Sequence, residues 1–283
     1  MDYPIVEHGG KGPPLHWAPA NGFPAPTYQP LLSRLADRCR VVSLAPRGLW
    51  PEAPSPPSEP GTWVDLGDDL VRGLAAHQLT DVVAVGHSFG GVLSLSAAVR
   101  HRARFRALAL LDPTILADPV IQWFRKGKAS GWRDAPHPLA PRTRDRRFRF
   151  SSRTEAGDYF RGRKLFARCS SQMLDAFVDG GLKSSGDDGL QLVWPPAWEA
   201  YYYESIHLDV WDDVARLDSS LPVLLVGGGQ SDTFLPEARS RFQALVPWAD
   251  VVVVEGGGHL FPQEAPGRTI EVVNDWLARI GLA

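Results

Sequence analysis

The stretch from Asp81 to Gly91 forces a sharp corner on any fold that contains it. Val82 to Val85 is a β-branched apolar run with the character of a buried strand. It runs into Gly86-His87-Ser88-Phe89-Gly90, and an apolar, Ala-rich segment leaves from Val92 to Val99 with the character of a helix. A strand and a helix that meet so abruptly leave no room for Cβ atoms where they cross, which is why glycine stands at 86 and 90. The apex residue, Ser88, is then held in a strained backbone conformation with its hydroxyl lifted clear of the sheet. Such a strand, turn and helix around Gly-x-Ser-x-Gly is the setting of an activated serine nucleophile. A hydroxyl is a poor nucleophile until a neighbouring base takes its proton, so a histidine and an orienting carboxylate are the residues to look for.

At this elbow the chain resembles the α/β-hydrolase family, and the resemblance extends along nearly its whole length. The family places its catalytic residues in the order serine, acid, histidine. Ala249 to Glu255 reads as a buried strand, and Gly256-Gly257-Gly258-His259 follows it. Three glycines form a loop that can present His259 at the sheet's C-terminal edge. A histidine's ordinary pKa of about 6.5 lets it take and return a proton at neutral pH. Leu221 to Gly227 is another strand, and the loop after it carries Asp232. One helix and one strand fit between Asp232 and His259, as the family pattern requires, so Asp232 is the expected acid. Asp112 is the alternative acid: it ends the strand Phe105 to Leu111, and some members of the family carry their acid there.

The resemblance also implies two backbone donors for an oxyanion. One is the N–H of Phe89, the residue after the nucleophile. The other belongs to the loop Asn21-Gly22-Phe23-Pro24, which follows the strand Leu15 to Ala20. Many relatives have His-Gly where this chain has Asn21-Gly22, and the donor role passes to Phe23. His87, beside the nucleophile, cannot be the base, because its side chain leaves the strand next to Ser88 rather than opposite it. A packing or orienting role suits it.

Alternating strands and helices predict an α/β fold of the α/β-hydrolase type: a mostly parallel central sheet with helices on both faces. Only one short strand, Pro4 to His8, fits before Leu15, so the first strand of the usual eight is expected to be missing. Helices are expected over Tyr28–Arg38, Trp63–Gln78, Pro236–Leu245 and Pro266–Ile280, and the proline-dense stretch Pro46–Gly61 reads as an ordered loop. Residues 1–113 and 214–283 form the expected core domain. Residues 114–213 interrupt the alternation where relatives insert a helical cap or lid. Arginines crowd this insertion at 133, 142, 144, 146, 147, 149 and 153, partly offset by Asp134 and Asp145, and read chiefly as a solvated face. Its aromatics include Trp198 and Tyr202, the expected lining of an apolar substrate pocket as against packing of the cap onto the sheet.

With 30 Lys and Arg against 32 Asp and Glu, nothing favours nucleic acid or an anionic membrane as partner. The two cysteines, Cys39 and Cys169, form no metal or disulfide pattern and suit a reducing compartment. Neither a phosphate loop nor a dinucleotide fingerprint is present, so no cofactor and no metal are expected. The N-terminus lacks a basic, apolar leader and no run of about 18 apolar residues exists, so a cytoplasmic location is the default. The expectation is therefore a cofactor-independent serine hydrolase, carboxylesterase-like, cleaving a small, largely apolar ester through an acyl-enzyme. A C–C, lactone or amide hydrolase of the same fold, or a slow-turnover ligand sensor, is the alternative. Sequence alone leaves the oligomeric state open.

Overall fold

The structure, a computed structural model, describes residues 3–51, 53–59, 61–132, 137–186 and 189–282. Arg133 and Asp134 of the arginine-rich stretch lie outside the described residues. The first part of the chain forms β1 (Ile5–Gly9), β2 (Pro14–Ala18), α1 (Gln29–Leu35), β3 (Arg40–Leu44), α2 (Trp63–Ala76), β4 (Val82–His87), α3 (Phe89–Arg100) and β5 (Phe105–Leu111). Then come α4 (Asp118–Ser130), α5 (Ala140–Arg144), β6 (Arg149–Phe150), α6 (Arg153–Arg161), α7 (Ser171–Gly181), β7 (Leu182–Ser184), β8 (Leu190–Leu192), α8 (Pro196–Glu204) and α9 (Val210–Ala215). The chain closes with β9 (Val223–Gly228), α10 (Pro236–Leu245), β10 (Asp250–Val254), α11 (Phe261–Glu264) and α12 (Pro266–Arg279).

Seven strands form one sheet in the order β1-β3-β2-β4-β5-β9-β10. Only β1, at the edge, is antiparallel to its neighbour; the other pairs are parallel. Both faces of the sheet are covered, as a parallel sheet demands. Successive residues of β4 show why: Val82 and Ala84 join the core that holds Leu66, Leu70 and Leu74 of α2, whereas Val83 and Val85 join the core that holds Leu31 and Leu35 of α1 and Trp276 of α12. The side-chain period of two sends each to its own layer. Helix α2 begins at a capping box, with Thr62 accepting from the Val64 amide.

The chain runs from β2 outward to β3 and then returns to β4 on the other side of β2. The sheet order reverses there, and the loops after β2 and β4 flank a crevice at the carboxyl ends of the strands, where open α/β sheets bind ligands. Between β5 and β9 the structure holds helices and also a small antiparallel sheet, β6-β8-β7. Strands of two or three residues are too short for an alternating pattern to announce them. The arginines here are not simply solvated. Arg144 pairs with Glu204 at 2.5 Å, Arg153 with Asp179 at 3.3 Å, and Arg147 with Glu155. Among the described residues no helix is long and apolar enough to cross a membrane.

Candidate active site

Ser88 stands between β4 and α3 with φ 57° and ψ −118°, in the left-handed half of backbone space that a non-glycine residue rarely adopts. The crossing is as tight as its glycines imply. A Cβ on Gly86 would lie 2.4 Å from the Gly90 carbonyl oxygen, and one on Gly90 would lie 2.2 Å from that of Ala18. The Ser88 hydroxyl is bonded to His259 Nε2 at 2.8 Å and to the Thr114 hydroxyl at 3.1 Å. Since Ser88 has one proton, donation to His259 makes Thr114 the donor in the second bond.

The carboxylate that meets His259 is that of Asp112, not Asp232. His259 Nδ1 and Asp112 Oδ2 are 2.7 Å apart. Asp112 is fully buried just past the end of β5, with φ 42°. Its Oδ1 accepts from the Gly228 amide at 2.8 Å, and its Oδ2 also accepts from the Ser231 hydroxyl at 2.5 Å. The loop after β9 therefore approaches the histidine as expected, but it contributes a hydroxyl clamp instead of the acid. Asp232 is exposed at the rim of the cavity, and its carboxylate accepts from the Thr233 hydroxyl at 3.3 Å.

His87 lies in a buried line of hydrogen bonds. The Ala20 amide donates to the Tyr28 hydroxyl at 3.3 Å, and the Tyr28 hydroxyl lies 2.8 Å from His87 Nδ1. His87 Nε2 lies 2.9 Å from the His259 carbonyl oxygen, which can only accept. Nε2 is thus the protonated nitrogen of His87, Nδ1 accepts, and Tyr28 donates. Burial first, and then the nearby His259 ring, push the His87 pKa down to about 3. Sequence position predicts a packing or orienting role; the neutral ring bridges the loop after β2 to the backbone of His259.

The two expected backbone donors differ. Phe89 opens α3, so its amide has no partner inside the helix. The Phe23 amide instead closes a turn on the Ala20 carbonyl at 3.1 Å and is not a free donor in this structure. Asn21 anchors the same loop by donating from Nδ2 to the Glu199 carbonyl at 3.0 Å.

Ser88 and His259 open into a cavity of about 370 Å³. Phe160, Phe166 and Phe177, from the segment between β5 and β9, make much of its wall apolar. Trp198 and Tyr202, the expected pocket residues, do not line it. Trp198 Nε1 donates to the Pro54 carbonyl at 2.9 Å, and the Tyr202 hydroxyl accepts from the Gly48 amide at 2.9 Å. The residues of α8 that do face the cavity are Glu199 and Tyr203. Each is one position further along the helix, a rotation of about 100°. An expected consequence is that Trp198→Ala lowers stability by about 3–5 kcal/mol, as measured by urea unfolding. It should leave the preferred substrate length where it was.

Opposite Glu199 stands Arg146, also in the cavity wall, with Nη2 2.5 Å from Glu199 Oε2. Burial raises the Glu199 pKa to about 7 even though Arg146 opposes the shift. The folded chain therefore binds this proton more tightly than the unfolded chain does. Stability contributed by the pair falls as pH rises from about 4.5 toward 7. Neither Arg146, Glu199, Thr114 nor Ser231 stands out in the sequence. Each acts through a partner more than 25 positions away or across a loop contact, which no local pattern encodes.

Comparison with known proteins identifies the family. Residues 6–272 match the family model for the alpha/beta hydrolase family, and the chain belongs to that family. It is 24% identical to 2-(acetamidomethylene)succinate hydrolase of Mesorhizobium japonicum, over 96% of this chain and 90% of that protein. It is 25% identical to RutD of Caulobacter segnis, a protein named for carbamate hydrolysis, over 87% of this chain and 84% of the other. The crystal structure of E-2-(acetamidomethylene)succinate hydrolase has a TM-score of 0.77 at 20% identity, covering 97% of this chain and 94% of that one. The fold is thus that of the α/β hydrolases, and the relatives are hydrolases.

Proposed function

We propose that the protein is a cofactor-independent serine hydrolase that cleaves a small carboxylic ester or amide through an acyl-enzyme. The observation that carries this reading is the unbroken hydrogen-bonded line Ser88–His259–Asp112 at the floor of a substrate-sized cavity. Ser88 Oγ attacks the substrate carbonyl while His259 Nε2 takes the hydroxyl proton. Asp112 holds the imidazole with its proton on Nδ1, the tautomer that leaves Nε2 free to act as base. The tetrahedral oxyanion is met by the Phe89 amide, with the Thr114 hydroxyl as a second donor. Each such donor is typically worth about 10²–10³ in rate. Collapse breaks the bond to the leaving group, which receives the proton from His259. Water, deprotonated by the same nitrogen, then attacks the acyl-enzyme and returns Ser88.

In this reading residues 114–213 act as a cap, with the three phenylalanines restricting the acyl or leaving group. The relatives named for carbamate and acetamido substrates widen the scissile bond from ester alone to ester or amide. The test is steady-state turnover of p-nitrophenyl butyrate and of the matching p-nitroanilide. Sustained turnover of either, many product equivalents per protein, is the expected result. One equivalent released in a burst and then near silence would overturn the enzyme reading in favour of a ligand sensor.

A further inference from the structure

The Arg146–Glu199 pair is hard to explain as scaffolding. Arg144 and Glu204 already join the same two segments through an exposed ion pair at 2.5 Å. The second pair sits in the wall of a largely apolar cavity, where removing two charges from water costs more than a single contact between them returns. The pairing uses only part of the guanidinium: Nη2 lies against Glu199 Oε2, whereas Arg146 Nε is buried without a hydrogen-bond partner among the described residues. Glu199 also presses on the loop after β2, since a Cβ on Gly22 would lie 2.8 Å from Glu199 Oε1. A guanidinium with an unpartnered N–H, in the wall of a cavity that contains the nucleophile, has donor capacity left for a ligand.

We infer that Arg146 and Glu199 form a subsite for a single carboxylate that the substrate carries apart from its scissile bond. The inference rests on the serine-hydrolase reading for the word substrate, but not for the binding itself. The charge arithmetic selects the ligand. With Glu199 protonated the pair carries one positive charge; with Glu199 ionised it carries none. In neither state does it attract a cation. A planar carboxylate matches the guanidinium fork, which offers parallel donors to two oxygens. A phosphate dianion would gain less, because Glu199 lies beside the same Arg and Asp232 stands at the cavity rim.

The subsite should respond to pH. The groups that face Glu199 are Arg146 from the segment after α5, and Tyr203 on α8 itself. From the loop after β2, Asn21 bonds only its backbone carbonyl. Asp232 and His259 complete the charged or titratable groups of the cavity. Burial keeps the Tyr203 phenol neutral, its pKa pushed well up, so the titrating pair is Glu199 and Arg146. As pH rises through about 7, Glu199 ionises, claims Arg146, and the incoming carboxylate loses its partner.

The experiment uses monomethyl glutarate, a monoanion, titrated calorimetrically into the Ser88→Ala protein, which cannot consume it. Binding at pH 6.5 is expected to be at least about tenfold tighter than at pH 8.5. Arg146→Gln should abolish binding, and Arg146→Lys should restore part of it if the glutamine variant folds poorly. Glu199→Gln should bind with little dependence on pH. The parallel kinetic measurement is the ratio of kcat/KM for mono-p-nitrophenyl glutarate to that for its methyl ester, and Arg146→Gln should lower this ratio at least about tenfold. Absence of binding to a folded protein, or a pH dependence that survives Glu199→Gln, would overturn the inference. Failure of the serine-hydrolase reading looks different: no turnover of either ester, with the pH-dependent binding intact.

Discussion

Asp112→Asn is expected to lower kcat about 10⁴-fold, the scale of the tautomer effect when the acid of a triad is made an amide. The Asp112 carboxylate accepts the Nδ1 proton of His259, and among the described residues that nitrogen has no other hydrogen-bond partner. An asparagine can turn its NH₂ toward Nδ1, which drives the ring proton onto Nε2 and disables the base. Asp232→Asn should cost far less, because that carboxylate is exposed at the rim and, among the described residues, bonded only to its neighbour Thr233. Both variants are to be compared by kcat after their thermal unfolding midpoints have been shown to be similar. A larger loss from Asp232→Asn would return the acid to the loop after β9.

Ser88→Ala should have the largest effect, about 10⁶-fold on kcat, by analogy with loss of the nucleophile in another triad enzyme. It should also abolish covalent labelling by a fluorophosphonate probe, which needs the activated hydroxyl. The substitution removes one small oxygen at a strained turn and leaves its glycines in place, so the fold should survive. Undiminished labelling of a folded Ser88→Ala protein would mean that another residue carries the chemistry.

The elbow could be read from the sequence because sterics leave few alternatives: only glycine fits at 86 and 90, and only a strand and a helix explain the runs on either side. His259 was legible for a related reason, since a glycine-rich loop after a late strand has one obvious tenant. The acid was not. Strands β5 and β9 are neighbours in the sheet, and each is followed by an aspartate within a few residues. The two loops actually touch, with Ser231 bonded to Asp112. Which carboxylate reaches the imidazole turns on the backbone of Asp112 entering the left-handed region, and that is a property of the assembled sheet edge. Helix α8 failed on phase. Its aromatics at 198 and 202 and its cavity residues at 199 and 203 share a spacing of four, and composition favoured the wrong stripe. The apolar wall of the cavity comes instead from phenylalanines spread over α6, the stretch before α7, and α7 itself.

The bond between His87 and the backbone of His259 bears on how protons are kept in order. The two rings lie 5.3 Å apart, close enough for charge on one to oppose charge on the other. Every proton along the line from Ala20 through Tyr28 and His87 to the His259 carbonyl already has a single acceptor. With its pKa held near about 3, His87 stays uncharged as the active site cycles. In the proposed mechanism this leaves proton transfer to a single imidazole, that of His259, with an uncharged ring behind it.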